Sequence, residues 1–92
     1  MKGNTLIIRV DGTTERQEWT TMPPLSFYQK AVGGYIEAIP YWPVGIAFCN
    51  EEGKIKGLKM NAHAQMVWCN RNDVLVGDIV QVTGDAEFMA EM

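Results

Sequence analysis

The stretch from Ala31 to Asn61 constrains the fold of this chain more than any other. It reads AVGGYIEAIPYWPVGIAFCNEEGKIKGLKMN. Its two adjacent glycines stand where a left-handed residue would end a helix. Two apolar runs follow, separated by turn-forming residues, which is the pattern of successive strands. The stretch therefore predicts a helix that leads into a sheet, with the remainder of the chain packed against both.

Two short helices are predicted, one at each end of this stretch. Pro24 suits the first turn of a helix, and apolar residues at spacings of three and four follow it as far as Val32. We expect Gly33 to cap that helix in the left-handed conformation. Asn61 is an expected N-cap, and it starts a second predicted helix over Ala62–Cys69.

The β-branched and apolar segments predict the strands. Thr13–Thr21 is polar, and it is either the second strand of a hairpin or a loop. Asn50–Gly53 favours a tight turn, after which Lys54–Leu58 is expected to return as an antiparallel strand with Ile55 pointing inward. The other predicted strands are Thr5–Val10, Tyr35–Tyr41, Val44–Cys49 and Val74–Val82, the last interrupted at Gly77-Asp78.

Together these segments predict a single α+β domain over residues 1–92. We expect a mixed, mainly antiparallel, curved or barrel-like sheet of about five strands, with the two short helices packed on it. The tail from Gly84 to Met92 has Phe88 as its only strong apolar anchor. It is expected to fray or to form one helical turn.

Charge and composition exclude several classes of function. The chain has 11 acidic and 8 basic residues and a net charge of -3, so it has no basic surface for general nucleic-acid binding. No apolar run reaches the roughly 20 residues of a membrane span, and the N-terminal apolar run is too short for a signal peptide. Cys49 and Cys69 follow no metal spacing, and we expect reduced core thiols in a cytoplasmic protein.

The residues that usually carry catalysis are sparse. His63 is the only histidine, and a position near a helix start favours a surface or half-buried polar role over a base or a metal ligand. A cysteine nucleophile needs a basic partner and exposure, and His63 and Cys69 are six positions apart on the predicted helix and face different ways. We therefore expect no catalytic residues, no metal site and no cofactor.

The aromatic residues are the best indication of a binding surface. Two interpretations stand: the rings fill the core and the crevices between helices and sheet, or some stay exposed and mark an interface or a ligand site. Glu37 lies inside an apolar strand, where it faces solvent, pairs with a lysine of a neighbouring strand, or serves as a polar group in a pocket. The candidate ligand-binding residues are Tyr35, Glu37, Tyr41, Trp42, Lys54 and Lys56.

A spaced pattern of residues resembles a family of small domains of unknown function common in phages, mobile elements and gut bacteria. The resemblance covers roughly Leu25 to Thr83. It implies provenance and fold, and it offers no catalytic residues to carry over. The chain departs from the pattern in its Pro-rich approach to the first helix and in Tyr41-Trp42-Pro43. The matching residues are Gln29-Lys30, Val32–Glu37, Asn50–Lys54, Gly57-Leu58, Asn61 and Val74–Val82.

The expected function is that of a non-enzymatic accessory protein of a phage or mobile element, working in the cytoplasm of a bacterial host. It would bind a host protein or itself, most simply as a homodimer. The alternative is a small-molecule binder such as a sponge for a nucleotide signal. That binder would stack a base on Tyr35, Trp42 or Trp68 and hold phosphate with Lys54, Lys56, Lys59 or Arg71. A hydrolase or metal enzyme has no arrangement of residues to support it.

Overall fold

A five-stranded antiparallel sheet forms the middle layer of the protein. The computed structural model describes residues 1–68 and 72–92. The order of the strands across the open sheet is β2-β1-β5-β4-β3, and every pairing is antiparallel. The predicted α+β class and mainly antiparallel sheet are confirmed. The strands are β1 (Gly3–Ile8), β2 (Thr14–Trp19), β3 (Ile36–Ala38), β4 (Ile46–Asn50) and β5 (Ile79–Gly84).

Three short helices pack on this sheet: α1 (Leu25–Val32), α2 (Ala62–Trp68) and α3 (Ala86–Met89). The predicted end of α1 is confirmed, because Gly33 has a φ of 79° and its N–H donates to the carbonyl of Gln29. The predicted start of α2 is also confirmed. The Oδ1 of Asn61 accepts a hydrogen bond of 3.0 Å from the N–H of Ala64, as an N-cap does. Cys69, the last residue of the second predicted helix, lies outside the described residues.

The helices cover opposite faces of the sheet, so the apolar residues form two cores. Side chains alternate along a strand, and Ile79 therefore faces α2 while Val80 faces α1. The α2-face core consists of Ile8, Ile39, Trp42, Ala47, Ala64, Trp68, Leu75 and Ile79. The α1-face core consists of Ile7, Tyr28, Val32, Phe48, Val80, Val82 and Phe88. Burial on both faces explains why the segment that contains β4 is apolar at successive positions.

The predicted strand over Lys54–Leu58 is wrong. Residues 51–57 form consecutive turns, in which the N–H of Lys56 donates to the carbonyl of Glu52 at 2.9 Å. β3 and β5 already pair with the two edges of β4. A strand over Lys54–Leu58 would therefore find no free edge of β4. Ile55, expected to point inward, is 86% exposed as a result.

Several strand boundaries also differ from expectation. Thr14–Trp19 is a strand, which resolves the choice between strand and loop for that segment. The strand expected from Val74 begins only at Ile79, because Gly77 adopts a φ of 79° and interrupts it at the predicted place. Before that interruption, Val76 makes an isolated bridge to Met60. The segment 73–76 therefore lies beside the sheet, where it forms one wall of a cleft.

Candidate functional site

A cleft lies beside the edge strand β3 on the α2 face, and we call it the β3 cleft. Its volume is about 160 Å³. Glu37 of β3 and Cys49 of β4 are directly opposite in the register and line the cleft together. The turns of residues 51–57 and the segment 73–76 enclose it, through Lys54 and Asp73 among others. Its walls thus come from three parts of the chain that are distant in sequence.

The floor of the β3 cleft belongs to the α2-face core. Ile39, Trp68 and Leu75 line it, and each is at least nine-tenths buried. The indole N–H of Trp68 donates to the carbonyl of Pro40 at 2.7 Å, which fixes the ring against the end of β3. The floor is therefore apolar, and a hydrogen bond holds its largest ring.

The rim of the β3 cleft is charged. Lys54 forms an ion pair with Asp73, and this pair joins the turns to the segment 73–76. The hydrogen bond from Lys54, together with one from the N–H of Val74, holds the pKa of the Asp73 carboxyl below its usual value. Glu37 is exposed at the same rim, so it faces solvent and lines the cleft at the same time.

The thiol of Cys49 is half-buried at the edge of the cleft. Burial, and secondly the negative charge of Glu37, raise its pKa above the usual value. Its sulfur also donates to the carbonyl oxygen of Glu37 at 3.6 Å. A raised pKa keeps the thiol protonated at neutral pH, which is the opposite of what a cysteine nucleophile needs.

The six candidate ligand-binding residues do not form one site. Glu37 and Lys54 lie in the β3 cleft. Tyr35 and Lys56 lie together in a separate shallow groove that also contains Gln29, Gly34 and Glu52. Tyr41 and Trp42 are in neither of these places, although they are adjacent in the chain.

Tyr41 and Trp42 have contrasting environments. Tyr41 is 91% exposed and has a φ of 61°, the only positive φ among the described residues other than glycine. A tyrosine pays a conformational cost of about 1–2 kcal/mol in this left-handed region. Trp42 is buried in the α2-face core, and its indole N–H donates to Oε1 of Gln81 at 2.9 Å.

Both interpretations of the aromatic residues therefore hold, each for different residues. Trp42 and Trp68 fill the core. Trp19 packs edge-on against Phe27, with ring centroids 4.9 Å apart, and donates to Oγ1 of Thr5 at 2.9 Å. The tyrosines at positions 35 and 41 remain exposed.

The chain matches a known protein family over most of its length. Residues 1–90 match the model of a family described as a domain of unknown function, DUF3846. The chain belongs to the DUF3846 family. The resemblance to a family of unknown function is confirmed to that extent, and the match covers more of the chain than the expected Leu25–Thr83. No curated protein and no solved structure matches the chain.

The described part of the DUF3846 domain shows neither a metal-binding cluster nor a helix that could cross a membrane. Within residues 1–68 and 72–92, no three His, Cys, Asp or Glu side chains are grouped so that they could hold a metal ion. Over the same residues, no helix is long and apolar enough to cross a membrane. Arg71, one of the candidate phosphate ligands, lies outside the described residues.

Of the residues that line the β3 cleft in this DUF3846 domain, sequence reasoning identified only Glu37 and Lys54 among its six ligand-binding candidates. Asp73, Val74 and Ile55 line it, but Asp73 was not among the candidates, and Ile55 was expected in a strand. The sequence offered only a weak signal for Asp73. It is an acidic residue just before an apolar segment, and such a residue can pair with a lysine from elsewhere in the chain. No local pattern indicates that Lys54 and Asp73 meet.

Proposed function

We propose that this DUF3846 domain is a non-enzymatic accessory protein that acts by protein association, in the first place with a second copy of itself. One observation carries the proposal. The sheet ends at the six-residue strand β2, and every residue from Thr14 to Glu18 is exposed. No described strand pairs with its outer edge. An edge of this length offers a row of backbone donors and acceptors to another strand.

The opposite edge of the sheet is less available. β3 has three residues, and the turns of residues 51–57 close the cleft beside it. A short edge strand flanked by other structure pairs poorly with another chain. Association through the sheet is therefore expected at β2.

Exposed apolar side chains add support for association with other proteins. Tyr35, Tyr41, Ile55 and Met66 are each more than two-thirds exposed. Covering such side chains contributes roughly 25 cal/mol for each Å² of apolar surface removed from water. Each of these side chains offers apolar area that a partner, including a host protein, could cover.

The origin and location of the protein are part of the same proposal. The pattern from Val32 to Glu37 and from Asn50 to Lys54 resembles domains common in phages and mobile elements. We propose that the protein comes from such an element and works in the cytoplasm of a bacterial host. The non-enzymatic role is part of the proposal, and the raised pKa of the Cys49 thiol agrees with it only in disfavouring that thiol as a nucleophile.

A light-scattering measurement tests self-association. We expect size-exclusion chromatography with light scattering to give a mass above that of the 10.3 kDa monomer, rising with concentration. Pairing at a strand edge alone buries little side-chain surface, so the experiment should extend to about 1 mM protein. A mass that stays at 10.3 kDa over the whole range would contradict self-association.

The second candidate function is the binding of a small anionic ligand, and the groove of Tyr35 and Lys56 favours it. An aromatic face beside a lysine suits a base and its phosphate. The β3 cleft supports this function less, because its volume of about 160 Å³ is small and Lys54 is paired with Asp73.

A thermal-shift screen with nucleotides and cyclic dinucleotides tests the second function. Binding would raise the melting temperature of the wild type. Lys56→Glu should abolish the rise, while the control Lys2→Glu, at an exposed lysine outside the groove, should keep it. An unchanged melting temperature with every nucleotide would remove the support for this function.

A further inference from the structure

The register between β1 and β2 determines which groups of β2 face outward. The N–H of Arg9 donates to the carbonyl of Thr13 at 3.0 Å, so Arg9 and Thr13 form a hydrogen-bonded pair. Such pairs alternate along an antiparallel ladder, and the next pairs along β2 involve Glu15 and Gln17. The backbone groups of the residues between them, at positions 14, 16 and 18, therefore point away from the sheet.

The side chains of β2 divide between the two faces of the sheet. Glu15 lies opposite Ile7, on the α1 face, and forms an ion pair of 2.8 Å with Arg9. Arg16 and Glu18 point to the other face, and both are exposed. The outer edge thus combines free backbone groups with one exposed cation and one exposed anion, two residues apart.

We propose that β2 pairs antiparallel with β2 of a second copy, in the register centred on Gln17. This inference rests on the proposed self-association and specifies its surface. In this register, Arg16 of each copy lies directly opposite Glu18 of the other, on the same face of the joined sheet. The outward backbone groups of both residues meet as a hydrogen-bonded pair. The two-fold symmetry forms each contact twice.

The charges on β2 select this register among the symmetric alternatives. Centring the two-fold axis on Glu15 or Glu18 puts a glutamate opposite its own copy, and centring it on Arg16 puts two arginines opposite each other. Like charges directly opposite in a sheet are destabilising, and unlike charges are stabilising. Only the register centred on Gln17 has unlike charges opposite and no like charges in direct opposition.

Charge reversal tests the register. Arg16→Glu places two glutamates opposite each other at both symmetric contacts, and Glu18→Arg does the same with arginines. Each single variant should weaken the dimer by about tenfold or more. The double variant Arg16→Glu/Glu18→Arg restores unlike pairs and should dimerise like the wild type. Lys59→Glu and Glu91→Arg make the same charge changes at exposed positions away from β2, and the dimer should be unchanged in both.

A mixing experiment makes the test independent of the stability of each variant. The two single variants carry opposite charges at both positions, so an equimolar mixture should form a one-to-one heterodimer although neither variant dimerises well alone. Circular dichroism checks that both variants are folded. Native mass spectrometry or light scattering measures the heterodimer.

The possible outcomes separate this inference from the proposed function. A wild type that stays monomeric overturns both. A wild-type dimer that neither single variant weakens overturns the β2 interface and leaves self-association standing. Weakened single variants that fail to recover on mixing, or in the double variant, overturn the register centred on Gln17.

Discussion

Asn61 connects three parts of the structure through one buried amide. Its side chain is fully buried, and its Nδ2 donates to the carbonyls of Ile8 at 2.8 Å and Gly77 at 3.0 Å. Its Oδ1 caps α2 through Ala64. Helix patterning predicts the cap, because the cap is local. The bonds to β1 and to Gly77 join residues 53 and 16 positions away, and no local pattern indicates them.

Replacing Asn61 by alanine should destabilise the protein strongly. The substitution leaves two buried carbonyls without their donor and removes the cap, and we expect a loss of about 3 kcal/mol in the free energy of unfolding. Urea denaturation monitored by circular dichroism measures the loss. His63→Ala, at an exposed position two residues along the chain, should change the stability by less than about 0.5 kcal/mol. A loss below about 1 kcal/mol for Asn61→Ala would contradict this role.

The titration of Tyr28 makes the stability of the protein change with pH in the alkaline range. Burial of Tyr28 raises its pKa to about 12, above the value of about 10 expected in the unfolded chain. The folded state therefore keeps the phenolic proton that the unfolded state releases. The contribution is complete below pH 10, and stability falls as the pH rises from about 10 to about 12. Tyr28→Phe removes this titration, so its stability should fall less over the same range in urea denaturation at stepped pH. Parallel pH curves for the two proteins would refute the role of Tyr28.

At the scale of elements, the tail forms α3 because two glycines make space for Phe88. Gly3 and Gly84 are opposite each other in neighbouring strands, and the ring of Phe88 covers both. A Cβ at Gly84 would lie 2.5 Å from Cδ1 of Phe88, and one at Gly3 would lie 2.1 Å from Cε1. Asp85 caps the helix by accepting from the N–H of Phe88 at 2.8 Å. Of the two alternatives for the tail, fraying or one helical turn, the structure shows the turn as α3, which holds Phe88 fully buried.

Gly84→Ala should therefore be more harmful than an alanine at a glycine in open surroundings. The new methyl group would displace Phe88 from the α1-face core, and overpacking of this kind costs about 1–3 kcal/mol or more. Gly57→Ala is the matched control, because Gly57 has a φ of 68° and nothing within 4 Å of an added Cβ. It should cost only its conformational strain, about 1 kcal/mol. Equal melting temperatures for the two variants would contradict the close packing of Phe88 on Gly84.

The elements that sequence patterns predicted correctly are those with local determinants. Pro24 and Gly33 delimit α1, and the hairpin of β1 and β2 turns at Gly12, which has a φ of 90°. The predicted strand over Lys54–Leu58 failed for a non-local reason. Whether β4 has a free edge depends on β5, which begins only at Ile79.

At the scale of the whole molecule, the candidate site was predictable only in part. Pairing with a lysine of a neighbouring strand was one of the alternatives for Glu37, and the β3 cleft contains both Glu37 and Lys54. Lys54, however, pairs with Asp73, a residue 19 positions away. Trp42 was a candidate for ligand stacking, but its ring is in the core and bonded to Gln81. Whether an aromatic side chain lies in a core or at the surface depends on which residues each face of the sheet buries. Only the complete fold determines this.

The place of β5 in the sheet has a consequence for how the protein is made. β5 is the last strand in the chain, yet it is the central strand of the sheet, between β1 and β4. During synthesis, the hairpin of β1 and β2 and the pair of β3 and β4 leave the ribosome first, and each exposes an edge that awaits β5. Long-range pairings of this kind are slow to form and prone to aggregation before they close. The nascent chain therefore cannot complete its sheet until residues 79–84 have emerged. A polypeptide that stops before residue 79 contains the pairs β1–β2 and β3–β4 without the strand that joins them into one sheet.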